Sequence, residues 1–170
     1  VAGRGKYSDD ISLPRTLHAA FVRSPYAHAK IRNINTVAAK SAPGVKLVMT
    51  GAELAEMCTG PWIGTLKVFD NMKAEPQYPM AVDRACWHGE AVAMIVAETR
   101  AQAEDAGEMV IVDYEELPVV IRKDKAIEPD SPVIHPGLGD NIAWEKVIGS
   151  GDVDKAFAEA DHVLEETFEF

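Results

Sequence analysis

Three side chains that commonly bind metal ions lie close together in the sequence: Cys86, His88 and Glu90. Because these positions alternate, an extended strand would place all three side chains on one face. Such a trio is sufficient for a catalytic zinc site, which needs only three protein ligands. However, Gly89 is expected to bend the chain before Glu90, and free cysteine is among the residues most often buried. A small metal-binding protein that uses Cys86, His88 and Glu90 is one hypothesis. A packed Cys86 beside a surface His88 is the structural alternative.

His28 is the second candidate, because a carboxylate at Asp9 or Asp10 could pair with it for acid–base catalysis. Sequence separation does not establish such a contact, and His28 lies in a segment whose pattern is typical of a strand with one solvated face. A histidine on that face is usually only hydrated. The pattern therefore predicts a solvated His28.

Asp113, Glu115 and Glu116 form an acidic cluster at the end of a predicted strand, and paired carboxylates can transfer protons. A solvated strand end is the simpler interpretation of the same residues. The sequence contains no phosphate-binding G-x-x-x-x-G-K-[ST], no G-x-S-x-G and no H-E-x-x-H. The residues taken alone indicate a scaffold and no convincing active site.

The best-organised stretch is residues 91–117, whose pattern predicts a buried strand, a short capped helix and a second strand. Residues 91–97 form an uncharged apolar run with the length of a core strand. The spacing of Thr99 and Gln102 predicts a capped helix start. A stripe of mostly small residues follows on one helix face, which lets a helix lie close to a sheet. It comprises Ala103, Ala106, Gly107 and Val110. Residues 110–114 favour a second strand, and we expect a right-handed parallel strand–helix–strand unit.

Other segments predict additional short elements, and a long irregular loop covers residues 58–79. The predicted strands are 17–23, 27–35 with a bulge near Asn33, 45–49, 119–121, 133–134 and 162–170. The predicted helices are 37–41 capped by Thr36, 51–57 with a Thr50–Glu53 capping box, 124–127, and one capped by Asp152. Strands and helices do not alternate regularly, so a mixed α+β domain is favoured over a doubly wound sheet.

The chain of 170 residues carries 27 acidic and 17 basic side chains, a net charge of −10. This balance argues against nucleic-acid binding, which needs a basic surface, and only Lys30, Arg32 and Lys40 suggest a local patch. No apolar run has the length of a membrane span. Cys58 and Cys86 belong to no cysteine motif, so a reduced, cytoplasmic setting is expected, with one disulfide as the less favoured alternative.

Four segments together resemble the molybdenum hydroxylases, the xanthine dehydrogenase and aldehyde oxidase family. They cover nearly the whole chain, in the order found in the family. The segments are GRGKYSDDI (3–11) continuing into VRSPYAHAKI (22–31), PGVKLVMTGAEL (43–54), HGEAVAMIVAETRAQAEDAGEMVIVDYEELPVV (88–120) and GDVDKAFAEADHVLEETF (151–168). The first segment is most similar to large chains of the carbon monoxide dehydrogenase type.

This resemblance implies an α/β-hammerhead domain, a mixed sheet with short helices, at the N-terminus of the large molybdenum-binding subunit. It implies that the full-length enzyme oxidises an aldehyde, an N-heterocycle or carbon monoxide, with water as the oxygen source. It also implies a molybdopterin cofactor in the full-length subunit, with [2Fe–2S] clusters and FAD on partner subunits or domains. The implied partners are the molybdopterin-binding domains of the same chain and the iron–sulfur part.

None of the family's catalytic, cofactor-binding or metal-binding motifs falls on a residue of this chain, so the domain is expected to support assembly. We expect the hammerhead domain to span residues 1–160 and the next domain to begin at 161–170. As a fragment of a larger subunit, the chain should expose apolar side chains near Trp62, Phe69, Phe168 and Phe170. A stand-alone hammerhead binding module without redox activity is the alternative from another class.

Overall fold

The computed structural model describes residues 3–11, 13–61 and 67–168. Within these ranges six strands form two three-stranded sheets in which every pairing is antiparallel. The first sheet has the order β1-β5-β3, and the second has the order β4-β2-β6. The strands are β1 His18–Arg23, β2 Ala29–Asn35, β3 Val45–Thr50, β4 Arg84–Ala85, β5 Ala91–Ala97 and β6 Ile111–Glu116.

In the described ranges five short α-helices accompany the sheets: α1 Val37–Lys40, α2 Gly51–Met57, α3 Arg100–Glu108, α4 Lys123–Ala126 and α5 Val153–Ala158. Two of them begin with the predicted capping boxes. The Gln102 amide donates to Thr99 Oγ1 at 3.2 Å, and the Thr99 amide donates to Gln102 Oε1 at 3.1 Å. Thr50 and Glu53 make the same reciprocal bonds at the start of α2. These local predictions are confirmed because their bonding partners lie within one turn of the chain.

The predicted parallel strand–helix–strand unit is wrong. β5 and α3 form as expected, but β5 pairs antiparallel with β1 and β3, while β6 pairs with β2 in the other sheet. The helix therefore connects two sheets rather than two neighbouring strands. The mixed α+β class of the expected hammerhead is confirmed.

The core lies between α3 and one face of the β1-β5-β3 sheet. Ala103 and Ala106 are fully buried, and Val110 is nearly so, which confirms the packing role of the small-residue stripe. The strands contribute Ala93, Ile95, Ala97 and Val48 to the same cluster. Small side chains on the helix allow its axis to approach the sheet closely, and burial of the larger strand residues supplies the stabilisation.

Several predicted details were wrong for local reasons. Thr36 makes no side-chain cap; instead Asn35 Oδ1 accepts a hydrogen bond from the Val37 amide. Residues 119–121, 133–134 and 162–168 are not strands, because an apolar run alone does not provide a pairing partner. The bulge is confirmed: the β2–β6 register shifts between Ile31 and Asn33.

Residues 67–83 and 119–146 form an irregular lobe held by side-chain contacts. Phe69 and Trp144 stack with ring centroids 4.4 Å apart, and Lys73 Nζ lies 2.7 Å from Asp140 Oδ1. Asn141 accepts from the Ile134 amide and donates to main-chain carbonyls. These contacts supply the order that secondary structure does not provide here.

Apolar side chains are exposed at several places. Phe69 is 49% exposed and Phe168 is 76% exposed, as expected, while Trp62 and Phe170 lie outside the described residues. α5 is capped by Asp152 as predicted, yet all of its residues are exposed. Among the described residues no helix has both the length and the apolar character needed to cross a membrane.

Candidate functional site

The segment 86–90, which holds the three predicted metal-binding side chains, is a turn rather than an extended strand. β4 ends at Ala85, Gly89 adopts a φ of +86°, and the Glu90 amide donates to the Trp87 carbonyl at 3.2 Å. The bend separates the side chains: Glu90 is buried, Cys86 is half-buried and His88 is exposed. The assumption that the three side chains share one strand face is therefore wrong.

Glu90 braces this turn from inside. Its Oε2 accepts a hydrogen bond from the Cys86 amide at 2.6 Å, and its carbonyl accepts from the Ser24 amide at 2.8 Å. Burial raises the pKa of the Glu90 carboxyl, while the amides of Cys86 and Trp87 act in the opposite direction. A carboxylate occupied with main-chain donors stabilises the loop that joins β4 to β5, which is a structural role.

Cys86 has the properties of a half-buried, protonated thiol rather than those of a ligand or nucleophile. Burial, with a further contribution from the Glu90 charge, raises its pKa to about 11. The thiol is therefore protonated at neutral pH, whereas metal ligation and nucleophilic attack use the thiolate. Across 3–11, 13–61 and 67–168, no group of three or more His, Cys, Asp or Glu side chains is placed to hold a metal ion. The zinc hypothesis has no support in this geometry.

His28 is buried, so the prediction of a solvated histidine is wrong. Its Nδ1 lies 2.7 Å from the Pro118 carbonyl oxygen and its Nε2 lies 3.0 Å from Arg84 Nη1. A carbonyl only accepts and a guanidinium only donates, so Nδ1 carries the proton and Nε2 accepts. His28 thus links β2 to β4 and to the segment after β6.

The hypothesis that an aspartate assists His28 also finds no support. The Asp10 carboxylate accepts a hydrogen bond from the Tyr7 amide at 2.9 Å, and the side chain of Asp9 lies outside the described part. Arg84 is the charged partner of His28, and sequence analysis missed it because 56 residues separate the two. No local pattern could have indicated this pair.

A cavity of about 260 Å³ lies beside β4, between the turn 86–90 and two segments of the irregular lobe. Its charged or titratable lining residues are Glu75, Tyr78, Asp83, Arg84, Cys86, Glu90 and His135. Burial lowers the pKa of His135, opposed by the Glu75 charge. Three carboxylates against one guanidinium do not suit the phosphate group of a molybdopterin, so the lining does not fit that cofactor.

Four of the remaining charged candidates, Lys30, Arg32, Lys40 and Glu115, form ion pairs. Glu115 forms ion pairs with Arg32 and with Lys30, the latter at 3.9 Å, and Lys40 lies 3.1 Å from Glu53. All of these side chains are partly exposed. Glu115 is thus compensated by neighbouring cations, and the three basic residues do not form an open cationic patch.

Comparison with known proteins identifies the class. The profile of the family described as aldehyde oxidase and xanthine dehydrogenase, a/b hammerhead domain, matches residues 2–118. The chain belongs to this family, which confirms the predicted membership. It therefore contains the hammerhead domain found in the large subunits of molybdenum hydroxylases.

Individual members of the family show how similar the chain is in sequence and in structure. The chain is 42% identical over 164 residues to the nicotine 6-hydroxylase large subunit of Paenarthrobacter nicotinovorans, covering 96% of this chain and 20% of that subunit. The solved structure of quinoline 2-oxidoreductase from Pseudomonas putida 86 matches with a TM-score of 0.84 and 36% identity, covering 94% of this chain and 20% of that one. The Cu,Mo-CO dehydrogenase structure matches with a TM-score of 0.74 and 34% identity, over 94% and 21%. The chain therefore spans about a fifth of the length of these relatives.

Proposed function

We propose that this chain forms the hammerhead part of the large subunit of a molybdenum hydroxylase. The whole enzyme would oxidise an aldehyde, an N-heterocycle or carbon monoxide, with water as the oxygen source. One observation carries this proposal: the chain matches a molybdenum hydroxylase relative in sequence over 96% of its length and a solved relative in structure over 94%. The domain boundary proposed at residues 160 and 161 belongs to the same hypothesis.

The proposed role of this chain within the enzyme is structural support. The buried side chains of Glu90 and His28 and the half-buried Arg84 bind main chain or one another. His28 links the start of β2 to β4 and to the segment after β6, and Glu90 braces the turn between β4 and β5. Molybdenum chemistry would be supplied by residues of the rest of the subunit. The [2Fe–2S] clusters and FAD would be carried by partner subunits or domains, as the family resemblance implies.

We further propose that the protein works in the cytoplasm. Cys58 and Cys86 are both free thiols, which fits a reducing compartment. Cell fractionation with an antibody against the full-length subunit tests this proposal, and enrichment in a periplasmic or extracellular fraction would contradict it.

Metal analysis of the full-length protein tests the proposed enzyme class. The complete reading frame should be expressed with its neighbouring genes in molybdate medium, and the purified subunit analysed by mass spectrometry for metals. We expect roughly stoichiometric molybdenum, and loss of turnover when tungstate replaces molybdate. A correctly folded full-length protein without molybdenum would refute the proposal and favour the stand-alone binding module.

A matched pair of glycine substitutions in the full-length subunit tests the structural role. A Cβ at Gly51 would lie 1.8 Å from the Ala81 carbonyl oxygen, whereas a Cβ at Gly60 would meet no atom of the described residues within 4 Å. We expect Gly51→Ala to lower the yield of folded, molybdenum-loaded subunit and leave turnover per molybdenum unchanged. Gly60→Ala should change neither quantity. A loss of turnover per molybdenum in Gly51→Ala would indicate that this domain participates in the chemistry.

A further inference from the structure

The cavity beside β4 is lined by two half-buried charged side chains that no residue of the described part neutralises. Arg84 belongs to β4, and Glu75 belongs to the lobe segment 67–83. Neither side chain forms an ion pair with a described residue, and within the same ranges no hydrogen bond reaches the Glu75 carboxylate. A charge that is partly withdrawn from water is normally paired with an opposite charge. Each of these two groups therefore has room for a partner.

The other charged or titratable groups of the lining do not supply these partners. Glu90 is buried, and its carboxylate accepts a hydrogen bond from the Cys86 amide. The Asp83 side chain is exposed to water. Burial lowers the pKa of His135, so its imidazole is neutral at neutral pH. The cavity thus presents one available guanidinium and one available carboxylate.

Neighbouring residues hold both charged groups in place. The buried His28 accepts one N–H of the Arg84 guanidinium at 3.0 Å, and its own Nδ1 donates to the Pro118 carbonyl. The guanidinium carries further N–H donors, which can form a bidentate pair with a carboxylate. The Glu75 carboxylate lies against Gly137, where a Cβ would be 2.6 Å from Glu75 Oε2. Glycine at position 137 therefore leaves the space that this carboxylate occupies.

The size and the apolar part of the lining indicate what kind of molecule fits. The volume of about 260 Å³ lies below the range typical of sites for drug-sized ligands. Met80, Ala81 and Ile134 supply apolar surface, and the first two are buried. A free amino acid with a short aliphatic side chain matches all three features. It has a carboxylate for the guanidinium, an ammonium for the glutamate and an apolar group for the remaining wall.

We propose that this cavity binds a small zwitterion of the amino-acid type, with its carboxylate on Arg84 and its ammonium on Glu75. A ligand with only a negative charge would be repelled by Glu75, and one with only a positive charge would be repelled by Arg84. Carrying both charges is therefore the basis of selectivity. The site lies within the described part of this chain, and the inference does not rest on the proposed function.

Isothermal titration calorimetry of the purified full-length subunit tests the proposal with matched probes. L-Leucine carries both charges, 4-methylpentanoate lacks the ammonium, and 3-methylbutylamine lacks the carboxylate. We expect L-leucine to bind once per subunit and at least about tenfold more tightly than either of the other probes, because each of them loses one set of charge-assisted hydrogen bonds.

Substitutions in the same full-length subunit assign the binding to this cavity. Glu75→Gln should weaken L-leucine binding by about tenfold or more, since it removes the negative charge and nearly preserves the side-chain volume. Arg84→Lys should also weaken it, because an ammonium lacks the planar fork of a guanidinium. The control Glu108→Gln removes one exposed charge from α3 and should leave binding unchanged.

Circular dichroism establishes that each variant is folded, and if only one cavity variant folds, its affinity decides the test. The absence of saturable L-leucine binding would overturn the inference and would mean that the cavity is filled by water or by another part of the subunit. Equally tight binding of either single-charge probe would also overturn it. Unchanged L-leucine affinity in a folded cavity variant would show that the amino acid binds elsewhere on the subunit.

Discussion

Two glycine-to-alanine substitutions should change stability in opposite directions. Gly107 lies in α3, where a Cβ would sit 3.8 Å from Ile95 Cδ1 and 3.9 Å from Val22 Cγ2, which are ordinary contacts. Gly51 is the first residue of α2, where a Cβ would lie 1.8 Å from the Ala81 carbonyl oxygen. The same chemical change therefore fills available space at one position and creates a main-chain clash at the other.

The expected magnitudes follow from these distances. Alanine is favoured over glycine inside a helix by about 0.8–1.0 kcal/mol, so Gly107→Ala should stabilise the chain by that amount. At Gly51 the two segments must separate by about 1.6 Å to reach a normal contact of 3.4 Å. Ala81 cannot move freely because its amide donates to the Ala91 carbonyl at 2.8 Å. Overpacking of this kind costs about 3 kcal/mol, so the net destabilisation should be about 2 kcal/mol.

Urea unfolding followed by circular dichroism measures both effects, with the slope of the transition expected to stay constant. The melting temperature should rise by about 2–4 °C for Gly107→Ala and fall by about 4–8 °C for Gly51→Ala. A destabilised Gly107→Ala would refute the proposed packing of α3 against β1 and β5. A neutral Gly51→Ala would show that α2 is not held against residues 80–81.

Three further predictions concern the buried polar groups. The Cys86 thiol has a pKa of about 11 against an ordinary 9.0. At pH 8 it should therefore react with iodoacetamide about 100-fold more slowly than an unperturbed thiol, measured by mass spectrometry of the labelled peptide. A normal reaction rate would contradict its burial. Because burial lowers the pKa of His135, its contribution to stability is present above about pH 6.5 and is lost as the pH falls. His135→Asn should therefore reduce the difference in urea midpoint between pH 7.5 and pH 5, while the exposed control His88→Asn leaves that difference unchanged. If His135→Asn also leaves it unchanged, His135 does not contribute to the pH dependence of stability. His28→Ala should destabilise the chain by about 2–3 kcal/mol in urea unfolding because Arg84 loses its buried acceptor. His28→Asn should recover part of that loss, since its amide can still donate to the Pro118 carbonyl, and an equal loss in both variants would argue against the assigned hydrogen bond.

The sequence predicted the features whose causes are local. Both capping boxes depend on residues three positions apart, Thr50 with Glu53 and Thr99 with Gln102, and both were found. The bulge in β2 was predicted from the interrupted alternation near Asn33. Short-range chemistry of this kind is visible in the chain itself, because the partners are fixed by the helical or extended period.

The polar framework around the cavity could not be predicted in this way. His28 depends on Arg84 and on the Pro118 carbonyl, which is 90 positions away. Glu90 was singled out as a metal ligand because of its spacing from Cys86, yet the turn at Gly89 directs its carboxylate onto the Cys86 amide. The residue types indicated that these side chains are candidates for a functional site. The tertiary structure determines whether a buried polar group binds a ligand or the main chain.

The error about strand direction has a different origin. An uncharged run such as Ala91–Ala97 is commonly found in parallel sheets, because helices cover both of their faces. Such a run indicates that both faces of the strand are covered. Coverage of the faces does not determine the direction of the neighbouring strands. β5 is the central strand of an antiparallel sheet, and Ala93, Ile95 and Ala97 on the face toward α3 lie in the core. On the opposite face Val92 is also fully buried, so the apolar run reflects burial on both sides of β5 and does not indicate strand direction.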